Sequence, residues 1–318
     1  MAVAFLKNDK RTQDHDKAGA IEKRNPIWQS QFLYSRSNRY DNDNMSKKPI
    51  VAILYDFDST LSPTDMQAYG FIPAMGMSPA EFWGRTSEFS KATGCEKILS
   101  YLYTMVAVAK EKGISLTKEF LNECGKNIQF YPGVTTWFKR INEYGESKGV
   151  KVEHYIISSG NKEILEGCAI ADEFKKMYGC EFIYDRKSGE VLWPKIAINY
   201  TQKTQFFFRI SKGVFDVTDD DSVNQKVPDR RIPYSNIVYI GDGMTDVPTM
   251  LLVKNNGGRS IAVYPRGKES KVVGLRDDGR VNYIALADYS ANKRLERIMR
   301  LVIDSVAIRE QMDSLEDN

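Results

Sequence analysis

Ile50-Val-Ala-Ile-Leu-Tyr-Asp56-Phe-Asp58-Ser-Thr60 runs an unbroken apolar stretch straight into two carboxylates separated by a single residue. An apolar run without polar alternation fits a strand covered on both faces, as in a parallel sheet. The spacing predicts a strand over 50–56. Working outward, short apolar runs alternate with longer amphipathic segments, which predicts further strands over 152–158, 181–184, 237–241 and 260–264 joined by helices. The fold class is therefore α/β, a three-layer parallel-sheet core. Ligands of such sheets bind at the carboxyl ends of strands, so the polar residues ending the runs at 50, 152 and 237 should meet in one cleft.

The composition narrows the function classes. The chain has 318 residues and a net charge of +3 from 45 basic and 42 acidic side chains, so no global field points to nucleic acid or an acidic membrane surface. No stretch approaches the roughly 20 apolar residues of a membrane helix, and Lys7, Asp9, Lys10 and Arg11 interrupt the N-terminus, which implies a cytoplasmic protein. Cys95, Cys124, Cys168 and Cys180 lie far apart and form no zinc pattern. With only His15 and His154 present, a serine or cysteine triad lacks a base, and catalysis falls to carboxylates.

Residues 1–48 are polar and without periodicity, which reads as a disordered tail, and Met45 just before the first strand is the expected initiator. The core then occupies 49–61 and resumes over 131–318, with 62–130 a helical insertion too long for one crossover helix. Gly189 marks a hairpin turn, 213–233 a surface loop, and 288–316 an amphipathic helix with Leu295, Ile298, Met299, Val302 and Val306 on one face.

Four segments carry chemistry. In Asp56-Phe-Asp58, a carboxylate can attack phosphorus once a divalent cation screens the repulsion, and a second can move the proton, although aspartates also end strands for no catalytic reason. Gly241-Asp242-Gly243-Met-Thr-Asp246 ends another apolar run and offers hard oxygen ligands suited to Mg²⁺, although Gly-Asp-Gly alone is also a common turn. Ser158-Ser159-Gly160 delivers a hydroxyl and backbone N–H groups to a helix start, where phosphate binds well. Lys203 opens an amphipathic segment and could neutralise phosphate and steady the attacking aspartate, whereas most lysines are solvated surface charges.

In this order, and each at a strand end or helix start, the four segments resemble the motifs of the haloacid dehalogenase-like (HAD) phosphatases from about Pro49 to Tyr289. The resemblance implies a Rossmann-like core with a helical cap of the phosphoserine phosphatase subtype. It further implies Asp56 as nucleophile and Mg²⁺ ligand, and Asp58 as general acid/base and metal ligand through its carbonyl. Ser158 and Lys203 hold the phosphoryl group, backbone groups of Ser159 and Gly160 assist, and Asp242 completes the metal ligands with Asp246 alongside or behind. An acid at position 58 favours phosphate ester hydrolysis over dehalogenation.

The implied activity is Mg²⁺-dependent hydrolysis of a small phosphorylated metabolite through an aspartyl-phosphate. A phosphotransferase using the same intermediate, or a ligand-binding relative that has lost chemistry, are the alternatives. Asp65 stands where phosphoserine phosphatases place a substrate-contacting glutamate, and no partner arginine is evident. The expected start at Met45 is checked by mass spectrometry of the native protein: peptides from residues 1–40 would overturn it.

Overall fold

The computed structural model describes residues 48–316. The expected tail, apart from Lys48, and the start at Met45 lie outside the described residues. Five strands match the sequence reading: β1 (Ile50–Tyr55), β2 (Lys151–Asn161), β3 (Lys176–Tyr184), β5 (Ile237–Gly241) and β6 (Arg259–Tyr264). Two short ones, β4 (Val191–Ile196) and β7 (Tyr283–Leu286), complete a sheet of order β4-β3-β2-β1-β5-β6-β7, in which only β4 runs antiparallel. β4 is the return arm of the hairpin turning at Gly189, whose φ is 73°.

β1 lies at the centre of this sheet, and Val51 through Tyr55 are fully buried on both faces. From it the chain moves first to β2 and β3 on one side, then returns to build β5, β6 and β7 on the other. The carboxyl end of β1 is therefore the switch point between oppositely directed connections, where open α/β sheets leave a crevice.

Between β1 and β2 come α1 (Phe71–Ala74), α2 (Pro79–Thr93), α3 (Lys97–Glu111), α4 (Lys118–Gly125) and α5 (Val134–Ser147). The boundaries follow local chemistry. Ser78 and Glu81 form a capping box with Pro79 at the first position of α2, and Gly94 closes that helix at φ 71°. α1 to α4 fill the helical insertion expected over 62–130, and α5 opens after Tyr131-Pro-Gly as expected.

The later helices are α6 (Lys162–Glu166), α7 (Lys203–Lys212), α8 (Asp220–Asn224), α9 (Val247–Asn255), α10 (Ser270–Asp277) and α11 (Arg294–Glu316). α5 and α11 pack together, as do α7 and α9, and right-handed crossovers put the two pairs on opposite faces of the sheet. The segment 213–233 holds the short α8 and is not wholly loop: buried Arg209 binds the carbonyls of Asp216, Val217 and Asp219 and the Asp220 carboxylate, which folds it down. α11 starts at Arg294, later than expected, because Tyr289 turns inward to donate its hydroxyl to the Thr60 carbonyl. Among the described residues no helix is long and apolar enough to cross a membrane.

Beneath the β1 end, the Trp137 indole donates to the Tyr55 hydroxyl at 2.8 Å, and that hydroxyl meets His154 Nδ1 at 2.9 Å. His154 Nε2 lies 3.0 Å from Asn142 Oδ1. The chain of donors closes with a neutral imidazole protonated on Nε2. Burial pushes His154 down from 6.5 to about 3. The neutral folded form is at full advantage above pH 6.5 and loses it as the pH falls, because the unfolded chain takes up the proton. Between pH 7.5 and 5.0, wild type should lose about 2 kcal/mol more stability than His154→Gln in urea titrations. Equal losses would remove His154 as the cause.

Candidate active site

Three strand ends and one helix start converge. Asp56 prolongs β1, its amide donating to the Ile240 carbonyl of β5 at 2.9 Å. The chain then turns tightly, with the amides of Thr60, Leu61 and Ser62 all pointing at the Phe57 carbonyl. Ser59 takes φ 59°, a left-handed conformation that costs a serine free energy and is typical of strained functional turns. The turn brings Asp58 back beside Asp56, where its Oδ1 accepts from the Met66 amide at 2.8 Å.

Ser158, Ser159 and Gly160 sit in a break of the β2 register: Ile157 pairs with Tyr178 but Asn161 with Cys180, so extra residues bulge from β2. Gly160 N donates to Ser158 Oγ at 2.9 Å, leaving the hydroxyl proton free for a ligand. On the other side of the same peptide, the Ser159 carbonyl accepts from Tyr101 of α3 at 2.8 Å and from Cys180 Sγ at 3.3 Å. A side chain of the insertion thus helps shape the bulge.

Lys203 is buried at the start of α7, and its Nζ lies 2.8 Å from Asp56 Oδ1 and 2.7 Å from Asp246 Oδ1. Tyr239 donates to Asp246 Oδ1 at 2.7 Å, and the Asp242 amide to Oδ2 at 3.1 Å, so both Asp246 oxygens are engaged. Gly241 makes this possible, since a Cβ there would lie 2.3 Å from Asp246 Oδ2. Tyr239, Tyr101 and the Met66 amide were not singled out in the sequence, where an interior strand tyrosine or a helix-face tyrosine reads as core.

The electrostatics are unbalanced. Asp56, Asp242 and Asp246 each offer an oxygen within 4.8 Å of the others, and one ammonium serves the group. Lys203 is held protonated, its pKa raised by the two carboxylates against the effect of burial. Asp242 is pushed up to about 8 by burial and by Asp56 and Asp246, and Asp56 to about 6 by burial and Asp246, against the pull of Lys203. Hard oxygens carrying uncompensated charge suit a divalent cation such as Mg²⁺. Asp58 is raised well above an ordinary carboxyl by burial, then by Asp65 and Asp56.

A cavity of about 530 Å³ is lined by Asp56, Asp58, Ser158, Ser159, Lys203 and Asp242 among others. Asp58, Asp65 and Ser159 also line a neighbouring chamber of about 420 Å³ beneath α2 and α3. All the residues singled out in the sequence gather at the first cavity or border it: Gly160 opens on the chamber, and Asp246 stands behind Asp56 and Lys203.

The sequence profile of the haloacid dehalogenase-like hydrolases matches residues 53–251. The chain belongs to this family. It is 28% identical over 277 residues to an uncharacterized protein of Borreliella burgdorferi, covering 78% of this chain and 95% of that one. Its fold resembles a probable phosphoserine phosphatase from Vibrio cholerae at TM-score 0.52 and 13% identity, over 83% of this chain and 67% of the other. It likewise resembles a HAD family hydrolase from Salmonella enterica serovar Typhi at TM-score 0.51 and 16% identity, over 76% and 68% of the two chains.

A divalent ion bound to the folded state of this hydrolase should stabilise it by about 2.7 kcal/mol at 100 times its dissociation constant. Mg²⁺ should therefore raise the melting temperature of wild type and of Asp58→Asn, whose carboxyl is turned to the Met66 amide, but not of Asp242→Asn. A loss in Asp58→Asn as large as in Asp242→Asn would reverse the two roles.

Proposed function

We propose that the protein is a Mg²⁺-dependent phosphomonoester hydrolase acting on a small phosphorylated metabolite through an aspartyl-phosphate on Asp56. The observation that carries this reading is a pair of neighbouring carboxyls in different surroundings. Asp56 is held beside a buried ammonium, while Asp58 accepts from the Met66 amide and is raised well above an ordinary carboxyl by burial and by Asp65 and Asp56. Carboxyls pushed apart in this way suit a nucleophile and an acid.

Asp56 Oδ1 is fixed by Lys203, which leaves Oδ2 to attack phosphorus. Asp58 donates its proton to the ester oxygen as the phosphorus–oxygen bond breaks, then takes a proton from the water that attacks the phosphorus of the aspartyl-phosphate. Inorganic phosphate leaves, and Asp56 and Asp58 return to their starting states. Ser158 and Lys203 would donate hydrogen bonds to the phosphoryl oxygens, helped by backbone groups of Ser159 and Gly160. Mg²⁺, held by Asp56, Asp242 and the Asp58 carbonyl, would supply the positive charge that lets one anion approach another. Asp246, its oxygens already engaged, would orient Lys203 and the loop carrying Asp242.

The chamber beneath α2 and α3 adjoins Asp58, where the leaving oxygen departs, so the insertion over 62–130 acts as a cap that contacts the leaving group. Asp56→Asn should lower phosphate release from any accepted ester by at least about 10³-fold, because an amide neither attacks phosphorus nor holds the metal. Release of phosphate at the wild-type rate in that variant would overturn the mechanism.

A further inference from the structure

The chamber beside Asp58 is walled by Trp83 and Tyr101, whose rings meet edge to face at 6.0 Å, with Asp65 and Gln67 at its base. Gln67 is 2% exposed and its side chain makes no hydrogen bond among the described residues; Oε1 is enclosed without a partner. Trp83 Nε1 is also buried but faces the Asp65 carboxyl, whose pKa it pulls down against the effect of burial, in a contact looser than a formed hydrogen bond. Lys91 and Lys97 stand exposed where the chamber opens, with no salt bridge among the described residues. Buried polar groups are nearly always paired, and an unpaired carboxamide on the wall of a cavity marks where a ligand supplies the missing bonds.

We propose that this chamber is the leaving-group site and that it selects phosphomonoesters of polyhydroxylated alcohols, with Gln67 reading the hydroxyl groups. The proposal rests on the phosphatase reading above. A carboxamide has both an acceptor and donors to satisfy, and a hydroxyl group, which both donates and accepts, answers both. An ammonium group satisfies Oε1 but leaves the amide N–H groups unmet, and an alkyl chain satisfies neither. The argument holds for either orientation of the amide, because neither of its ends has a partner. Asp65 can accept from a further hydroxyl, and the indole face suits the C–H surface of a polyol or sugar. The two rim lysines attract a dianionic phosphoester without selecting its alcohol. The volume of about 420 Å³ leaves room for an alcohol of several carbons.

The test uses the full chain with Mg²⁺ and a panel of esters: glycerol 3-phosphate, mannitol 1-phosphate, propyl phosphate, O-phosphoethanolamine and p-nitrophenyl phosphate. The hydroxylated esters should exceed propyl phosphate and O-phosphoethanolamine in kcat/KM by at least about tenfold, since a site built to bond a hydroxyl discriminates against its absence. Gln67→Leu should lower the ratio of glycerol 3-phosphate to propyl phosphate about tenfold without lowering the melting temperature, because leucine leaves no unpaired polar atom. Gln67→Met, of nearly the same length and without either polar atom, should lower the same ratio and serves if Gln67→Leu does not fold. Preference for propyl phosphate or O-phosphoethanolamine, or an unchanged ratio in the folded variants, would overturn the proposal. Hydrolysis of p-nitrophenyl phosphate with no discrimination among the other esters would overturn it alone, whereas no phosphate from any ester would overturn the phosphatase reading as well.

Discussion

The site depends on one buried ammonium. Lys203 reaches from the start of α7 to Asp56 at the end of β1 and to Asp246 after β5, tying three elements that are far apart in sequence. An uncompensated charge in such a place is costly, and removing one partner of a buried ion pair typically costs about 3–5 kcal/mol. The pairing makes it possible to bury Asp56 and Asp246 at all, and it fixes which Asp56 oxygen faces away from the lysine. What the ammonium does not neutralise is the remainder of the acidic cluster, hard oxygens of the kind that suit a divalent cation.

The sheet supplies the rest of the geometry through its irregularities. β1 and β5 end cleanly, so their last residues present carboxylates at a fixed height, while β2 bulges between Ile157 and Asn161 and lifts Ser158 toward the same point. The bulge is held from outside the sheet by Tyr101 and from within it by Cys180. Because Tyr101 belongs to the insertion, the helices that wall the chamber beside Asp58 also brace the peptide beside Ser158. A polar carbonyl bonded from two sides has little freedom to rotate, so the Gly160 amide on the same peptide stays aimed at Ser158 Oγ.

Much of this was legible in the sequence. Five strands, the helical insertion and the hairpin turn were readable because apolar runs, helical spacing and glycine each report local backbone physics. The residues gathered at the cleft were readable because the four segments occur together and in order, each at a strand end or helix start, although each alone has commoner uses. β7 was missed because it spans only four residues, and β4 because, as a sheet edge with Leu192 and Trp193 exposed, it lacks a buried pattern. The helix α8 within 213–233 went unseen because a buried arginine, not an apolar face, holds that segment down.

The sequence by itself determined the α/β class, the family and the identity of the acidic residues, since these follow from periodicity and from motifs a few residues long. Only the tertiary structure decided which Asp246 oxygens are already spent, which side of the Ser159 peptide faces the site, and that the Gln67 carboxamide oxygen is buried without a partner beside Asp58. Those facts concern pairings such as Lys203 with Asp246, 43 positions apart, and Tyr101 with Ser159, 58 apart. A single sequence records no distance between such residues, because burial and hydrogen bonding are settled only when the elements pack.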